Sequence, residues 1–193
     1  MKEALNELIA GEIPYILVGL DALPDHPVLL SGSFNPLHQG HVELLYAAER
    51  VTQRSGLLEL SVTNVDKPPL DIIKLERRLL QLRGRFNTVL TCAPTFLEKA
   101  ELFPGAWFAM GYDTVVRLLS PAYHDDVPAM LSRFQTLETR FVVGGRLHQG
   151  SFQSLESLDI PPVNKELFIP IPETLFREDI SSTEIRAEKK RPV

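Results

Sequence analysis

Short apolar runs alternate with longer amphipathic segments along most of the chain. Each run is rich in Val, Leu, Ile and Phe, and each is followed by a segment whose apolar residues recur at helical spacing. This alternation predicts an α/β fold in which parallel strands are joined by right-handed helical crossovers. We therefore expect a parallel sheet with helices on both faces. The predicted strands cover 28–30, 57–62, 88–93, 106–110, 140–145 and 166–171.

The segments between these strands carry the helical spacing. The predicted helices cover 40–54, 70–83, 96–102, 114–119, 124–135 and 181–190. The helix at 70–83 has apolar residues at Ile73, Leu75, Leu79, Leu80 and Leu82. In parallel sheets, ligands bind outside the carboxyl ends of the strands. The loops at 31–41, 63–69 and 111–114 are therefore expected to meet at one edge of the sheet.

The first 27 residues differ from this pattern and are predicted to be an N-terminal extension to a domain at 28–193. MKEALNELIA has a weak helical face formed by Leu5, Leu8 and Ile9, and YILVGL reads as a short strand. The extension is compatible with an edge strand, a dimer contact or the remnant of an upstream domain.

Composition narrows the class of protein. The 193 residues are 44% hydrophobic, which suffices for a core, and the net charge of -5 lacks the basic surplus typical of nucleic-acid binding. A local pocket for a small anion stays possible. The single cysteine, Cys92, rules out an intrachain disulfide and a cysteine zinc cluster, and is expected to be a small apolar residue at a strand end. With no leader-like or membrane-spanning stretch in the sequence, we expect a soluble, cytoplasmic protein.

One strand-to-helix loop, SGSFNPLHQGH at 31–41, combines glycine, proline and two histidines. In a tight turn, the backbone N–H groups near Gly32, Ser33 and Phe34 are expected to point at one spot. Gly32 permits unusual dihedral angles and the close approach of a ligand. The start of the next helix, near residue 40, adds free N–H groups and a positive dipole end. These features favour an anion site.

The two histidines of this loop, His38 and His41, lie three residues apart at the helix start, so their rings can occupy the same side. Both can then donate hydrogen bonds to phosphate oxygens as charge builds in a transition state. Two histidines without an acidic or cysteine ligand nearby make a poor metal site, so no metal-binding residues are predicted. The alternative is that both are ordinary polar surface residues.

GSFNPLHQGH, from Gly32 to His41, resembles the signature of the HxGH nucleotidyltransferase superfamily. It is most similar to the G-S-F-N-P-x-H-x-G-H form of nicotinamide or nicotinate mononucleotide adenylyltransferases, and all eight specified positions match. The resemblance implies a Rossmann-like nucleotidyltransferase fold for 28–193. It also implies transfer of AMP from ATP to a mononucleotide, with pyrophosphate released and NAD formed.

A second segment, ISSTEIR at 180–186, is similar to the I-S-S-T-x-I-R motif of the same enzymes. Its residues alone indicate a capped helix start with hydroxyls and a guanidinium that suit an anion, or simply a capped helix with a solvated arginine. The resemblance implies that Ser181, Ser182, Thr183 and Arg186 hold the β- and γ-phosphates of ATP. Arg186, together with His38 and His41, is expected to be catalytic.

The third similar segment is AWFAMGYD. The resemblance implies that Gly111 contacts the adenosine and that Asp113 lies near the ribose, whereas the residues alone also allow Asp113 to cap a helix beginning at Thr114. Lys67 occupies a position where relatives carry a phosphate-steadying cation, although a solvated loop lysine is the common alternative. Arg146 likewise resembles an arginine that follows the fifth strand in relatives.

The chain departs from the bacterial mononucleotide enzymes in its tryptophans. The loop TNVDKPPL lacks the usual W-x-P-x-x-K pattern, and LLSPAYHDD lacks a tryptophan to stack on nicotinamide, so Tyr123 or His124 would have to serve. The only tryptophan, Trp107, is expected to be core. These departures concern the acceptor side of the resemblance.

Several functions remain to be separated. The implied chemistry needs no general base, and Mg²⁺ is expected to bind through ATP phosphates and water. The same chemistry on phosphopantetheine, or CTP-dependent cytidylyl transfer, is one alternative, although Asn35 and His38 favour the mononucleotide branch. A non-catalytic nucleotide-binding module and a plain ATP hydrolase are others. The expected partners are small molecules rather than nucleic acid or membrane, with a homo-oligomer possible.

Overall fold

A computed structural model describes residues 2–63, 72–123, 126–148 and 151–177. Its centre is a seven-stranded sheet, and a separate antiparallel ladder has two strands. The sheet strands are β1 (Tyr15–Val18), β2 (Val28–Ser31), β3 (Gly56–Ser61), β4 (Thr88–Thr91), β5 (Trp107–Gly111), β6 (Phe141–Gly144) and β9 (Phe168–Ile171). The ladder consists of β7 (Arg146–His148) and β8 (Ser151–Gln153).

Six α-helices accompany the sheet in the described ranges. They are α1 (Lys2–Ala10), α2 (Gln39–Thr52), α3 (Ile72–Leu82), α4 (Phe96–Leu102), α5 (Tyr112–Leu118) and α6 (Val127–Thr136). Two short 3₁₀ turns follow at Leu155–Ser157 and Pro162–Leu167. The helix predicted at 181–190 lies outside the described residues. No helix in the described ranges is long and apolar enough to cross a membrane.

The strand order is β1-β4-β3-β2-β5-β6-β9, and every pair is parallel except β1 with β4. From β2 the chain adds β3 and β4 on one side, then crosses to place β5 on the other side of β2. The β2–β5 pair, with Leu30 opposite Ala109, is therefore the point where the winding reverses. Ligands in open α/β sheets bind outside the carboxyl ends of the strands at such a point.

Each face of the sheet has its own apolar cluster. One cluster holds buried side chains of α1, α2 and α3 against the sheet, and the other holds those of α4, α5 and α6. The second is rich in aromatic contacts around Phe141, which meets Phe134 edge-on at 4.9 Å between ring centroids. The predicted parallel sheet with helices on both faces is confirmed, with β1 as its one antiparallel member.

The apolar residues predicted for α3 divide between two faces. Leu75, Leu79 and Leu82 are buried, whereas Ile73 and Leu80 are 65% and 73% exposed. At 3.6 residues per turn, positions 75, 79 and 82 share one stripe and positions 73 and 80 fall on the opposite side. Only the first stripe packs on the sheet.

The first 27 residues pack on the same sheet as the rest. Leu5 and Leu8 of α1 are buried in the first cluster, and β1 pairs with β4 through Tyr15 opposite Thr91. Of the roles considered for this segment, the structure shows an edge strand. Cys92 contributes to the join, because its Sγ donates to the carbonyl of Leu8 at 3.4 Å.

A charged pair is buried inside the second face, which the apolar pattern of β3 did not indicate. Glu59 is fully buried and lies 3.7 Å from the Nζ of Lys99, and it accepts a hydrogen bond from the Thr91 hydroxyl at 2.6 Å. Burial raises the pKa of Glu59, and the nearby Lys99 ammonium opposes that rise. Lys99 also donates to the Pro94 carbonyl at 3.3 Å and so ties the β4–α4 turn to the sheet.

We expect truncation of α1's buried face to destabilise the whole domain. Leu8→Ala removes a side chain that is 1% exposed, so the free energy of unfolding should fall by about 2–5 kcal/mol in urea denaturation. Ile9→Ala is the matched control, because Ile9 is 46% exposed and its loss should cost within about 0.5 kcal/mol. Equal stability of the two variants would show that α1 is not part of the domain's core.

Candidate functional site

The loop between β2 and α2 continues the sheet before it turns. The backbone amide of Gly32 donates to the Glu59 carbonyl at 3.0 Å, extending the β2–β3 ladder by one bond. The expectation that this amide points at an anion is therefore wrong, because the neighbouring strand already uses it. In the part of the chain that the structure describes, the amides of Ser33 and Phe34 have no hydrogen-bond acceptor.

A glycine is needed at position 32 because the Phe34 ring lies against its backbone. A Cβ built at Gly32 would stand 2.7 Å from Cε1 of Phe34, closer than real Cβ contacts allow. The Phe34 ring is 1% exposed, and its backbone has a φ of 42°, in the left-handed region that bulky residues avoid. The Asn35–Pro36 peptide bond that follows is cis. The Phe34 ring is thus buried, and the absence of a side chain at Gly32 leaves room for it.

His38 and His41 form a stack at the start of α2. Their ring centroids are 3.6 Å apart with 28° between the planes, and the Phe34 ring meets His41 edge-on at 5.2 Å. The backbone amide of His38, the N-cap residue, donates to Nδ1 of His41 at 3.3 Å. Because Nδ1 accepts, the neutral His41 ring carries its proton on Nε2.

Both imidazoles are held neutral near pH 7. Burial, with a smaller contribution from the neighbouring His38, lowers the pKa of His41 to about 4. Burial also lowers the pKa of His38, whose Nδ1 is buried with no hydrogen-bond partner in the described ranges. Two half-buried, stacked rings do not match the alternative of ordinary surface histidines. The arrangement leaves His41 Nε2–H as a hydrogen-bond donor.

The β5–α5 turn lies at the adjacent strand end. Gly111 is the N-cap of α5, which begins at Tyr112, so Asp113 is in the first turn and does not cap a helix beginning at Thr114. That alternative is wrong. The Asp113 carboxylate instead accepts a charge-assisted hydrogen bond from Nη1 of Arg146 on β7. An acidic side chain in the first turn is also stabilised by the helix dipole.

Comparison with known protein families decides the class. A sequence model described as cytidylyltransferase-like matches residues 29–188, from β2 to beyond β9. The chain belongs to the cytidylyltransferase-like family. That family is part of the HxGH nucleotidyltransferase superfamily, so the resemblance seen at 32–41 is confirmed at that level. No curated protein matches the chain.

As a cytidylyltransferase-like protein, the chain is a nucleotidyltransferase with the expected Rossmann-like fold. Its β2 and β5 are neighbours, so the histidine loop and the Gly111–Asp113 turn emerge at the same edge of the sheet. The fold brings these two predicted segments together. Their roles toward nucleotide and phosphate remain predictions.

Other predicted site residues of this cytidylyltransferase-like chain lie outside the described residues. They belong to the loop that carries one predicted cation and to the second phosphate motif. These residues are Lys67, Ser181, Ser182, Thr183 and Arg186. His124, one candidate for stacking on the acceptor, also lies outside, and the other candidate, Tyr123, is exposed.

Trp107 lies at the amino end of β5, away from the histidine loop. It is partly buried and packs against the first apolar cluster, and its ring also contacts the Arg54 guanidinium at 3.8 Å and the Arg140 guanidinium at 5.2 Å. The two cation contacts suit the electron-rich face of an indole.

The sequence reasoning missed the β7–β8 hairpin, which positions Arg146. A Cβ at Gly145 would lie 2.3 Å from Cζ of Phe152 and 2.7 Å from the Gln153 carbonyl, so the glycine lets β6 pass into the hairpin. The segment RLHQGSFQ held a usable signal, since two short runs flank a glycine-containing pair.

We predict that His41 titrates near pH 4 in the free protein. Because the ring is buried beside His38, its protonation is disfavoured, and ring-nitrogen NMR shifts at pH 7 should report a neutral ring with the proton on Nε2. In urea-unfolded protein the same ring should titrate near the ordinary value of about 6.5. A native titration near that ordinary value would contradict the burial argument.

The same pKa difference makes stability depend on pH. Between the ordinary value and about 4, the unfolded chain binds a proton at His41 that the native chain does not, so the free energy of unfolding should fall as pH falls through this window. The contribution is about 3 kcal/mol at most. His41→Gln should make the urea-derived stability less steep in pH over that window, and an unchanged slope would contradict the assignment.

Proposed function

We propose that the chain transfers AMP from ATP to the phosphate of nicotinamide or nicotinate mononucleotide, releasing pyrophosphate and forming NAD or its nicotinate counterpart. The observation that carries the proposal is the stacked His38–His41 pair at the start of α2. It lies at the winding reversal of the sheet, where nucleotides bind in folds of this kind.

The proposed chemistry is a single in-line displacement. An oxygen of the acceptor's phosphate forms a bond to the α-phosphorus of ATP, and the bond from that phosphorus to the bridging oxygen breaks. The electron pair leaves with pyrophosphate. The acceptor oxygen is already ionised at neutral pH, so the residues need only align the reactants and stabilise charge.

The histidines supply that charge stabilisation in the proposal. Nε2–H of His41 donates to an oxygen of the reacting phosphate. The His38 ring stacks against the His41 ring at the start of the same helix. A neutral donor gains strength as the oxygen becomes more negative, and this difference between ground and transition states accelerates transfer. Ser182, Thr183 and Arg186 are proposed to hold the departing pyrophosphate.

Mg²⁺ enters this proposal as part of the MgATP substrate. The described residues contain no group of three or more histidine, cysteine, aspartate or glutamate side chains arranged to hold a metal ion. Phosphate oxygens and water are ligands that Mg²⁺ prefers, and the ion keeps several waters when it binds. We further propose that the protein acts on these small molecules in the cytoplasm.

One panel of substrates can identify both the nucleotide and the acceptor. Asn35 and His38 favour the mononucleotide branch, whereas the description of the family favours CTP. The protein with Mg²⁺ is incubated with ATP or CTP and with nicotinamide mononucleotide, nicotinate mononucleotide, phosphopantetheine or glycerol phosphate, and pyrophosphate and NAD are measured. The proposal expects pyrophosphate with ATP and one or both mononucleotides, and NAD where nicotinamide mononucleotide is the acceptor. Turnover with CTP alone would establish cytidylyl transfer, and ATP binding without pyrophosphate release would indicate a non-catalytic module.

We predict that His41→Ala abolishes most turnover while the domain still folds. Losing one donor to a developing oxyanion costs at least about 2.7 kcal/mol, or roughly a hundredfold in kcat. The matched control is His26→Asn, because His26 is exposed beyond the amino end of β2 and asparagine tolerates its φ of 44°. Equal kcat for His41→Ala and wild type would remove His41 from the mechanism.

A further inference from the structure

We propose that Gln81 of α3 is a positioning residue for the histidine loop, acting through the backbone on both sides of its turn. The kinetic part of this inference rests on the proposed function. The structural part, the state of the His41 ring, does not depend on it.

The Gln81 side chain makes two hydrogen bonds to one turn. Its Nε2 donates to the Phe34 carbonyl at 3.2 Å, and its Oε1 accepts from the Leu37 amide at 3.1 Å. A single planar amide therefore holds an acceptor and a donor that lie three residues apart. Among side chains, only glutamine and asparagine present a donor and an acceptor in this fixed geometry.

Gln81 is held in place by its own helix. Its neighbours along the buried stripe of α3, Leu79 and Leu82, pack in the same apolar cluster as Phe34. Their burial fixes where the partly buried Gln81 amide stands relative to the loop. The two bonds then join segments 44 and 47 residues apart in the chain.

The turn that Gln81 holds is strained at one end. Phe34 has a φ of 42°, and a left-handed conformation costs about 1–2 kcal/mol for a residue with a side chain. Such a conformation persists only where the surroundings restrain it. The carbonyl of Phe34 itself accepts the hydrogen bond from Gln81.

Both ends of the turn lead directly to the histidines. The Phe34 ring packs edge-on against His41 at 5.2 Å. Leu37, at the other end, immediately precedes His38, whose own amide binds Nδ1 of His41 at 3.3 Å. If the turn relaxes, both the ring beneath His41 and the amide that sets its tautomer are free to move.

The test compares Gln81→Met with Gln81→Glu and a control. Methionine keeps a similar length but makes neither bond, and ionised glutamate keeps the acceptor for Leu37 while losing the donor to Phe34. Gln135→Met is the matched control, because Gln135 on α6 also donates to a backbone carbonyl, that of Val163 at 3.0 Å, but on a different face. Each variant is measured where circular dichroism shows it folded.

The first measurement is the titration of His41 by ring-nitrogen NMR. In Gln81→Met we expect the titration to move from about 4 toward the ordinary 6.5 and the Nδ1 shift to lose its hydrogen-bonded value, with a change in the same direction in Gln81→Glu, whose second carboxylate oxygen faces the Phe34 carbonyl oxygen. Gln135→Met should match wild type. An unchanged His41 ring in folded Gln81→Met or Gln81→Glu would overturn the proposal, whatever the reaction is.

The second measurement is steady-state kinetics with the nucleotide that supports turnover. Small displacements of catalytic groups cost up to about a hundredfold, so Gln81→Met should lower kcat roughly ten- to a hundredfold with little change in KM. Gln81→Glu should also lower kcat, because it loses the donor to the Phe34 carbonyl. Lower stability with wild-type kcat would mean that Gln81 only anchors α3. Wild-type protein that lacks turnover would count against the proposed function alone, and the NMR result would still decide the role of Gln81.

Discussion

The candidate site depends on the hydrogen bond from the His38 amide to Nδ1 of His41. Because Nδ1 is an acceptor there, the neutral ring carries its proton on Nε2. Burial keeps that neutral form dominant, so the start of α2 presents a hydrogen-bond donor rather than a permanent cation. In the proposed reaction, this donor responds to charge that develops during transfer instead of binding every phosphate equally well.

Several contacts around the histidine loop maintain that hydrogen bond. The absence of a side chain at Gly32 leaves space for the Phe34 ring, and the ring lies against His41. The Gln81 amide holds the turn between Phe34 and Leu37. Each contact alone is modest, yet together they restrain a backbone that is unfavourable in isolation. Long-range packing therefore restrains the histidine loop in this conformation, in addition to its own sequence.

Much of the fold followed from local patterns. The alternation of strands and helices depends on spacings of two and 3.6 residues, which any window of the sequence contains. It placed β2 to β6 and α2 to α6 within a few residues of their observed bounds, and β1 as well. The pattern did not assign Ile73 and Leu80 to solvent, because which stripe of α3 packs depends on the sheet beneath it. It also missed the β7–β8 hairpin, whose strands have only three residues each.

The chemistry of the site divides in the same way. The sequence by itself determined that two imidazoles lie three residues apart at a helix start, since helix geometry is local, and that the chain carries the superfamily signature. Only the tertiary structure decided that the Gly32 amide is used by β3, that Asp113 is paired with Arg146, and that Gln81 supports the loop. It also partly buried both histidines and so lowered the pKa of each ring. Desolvation and contacts between residues far apart in the sequence exist only once the sheet and its helices have packed, so no local pattern encodes them.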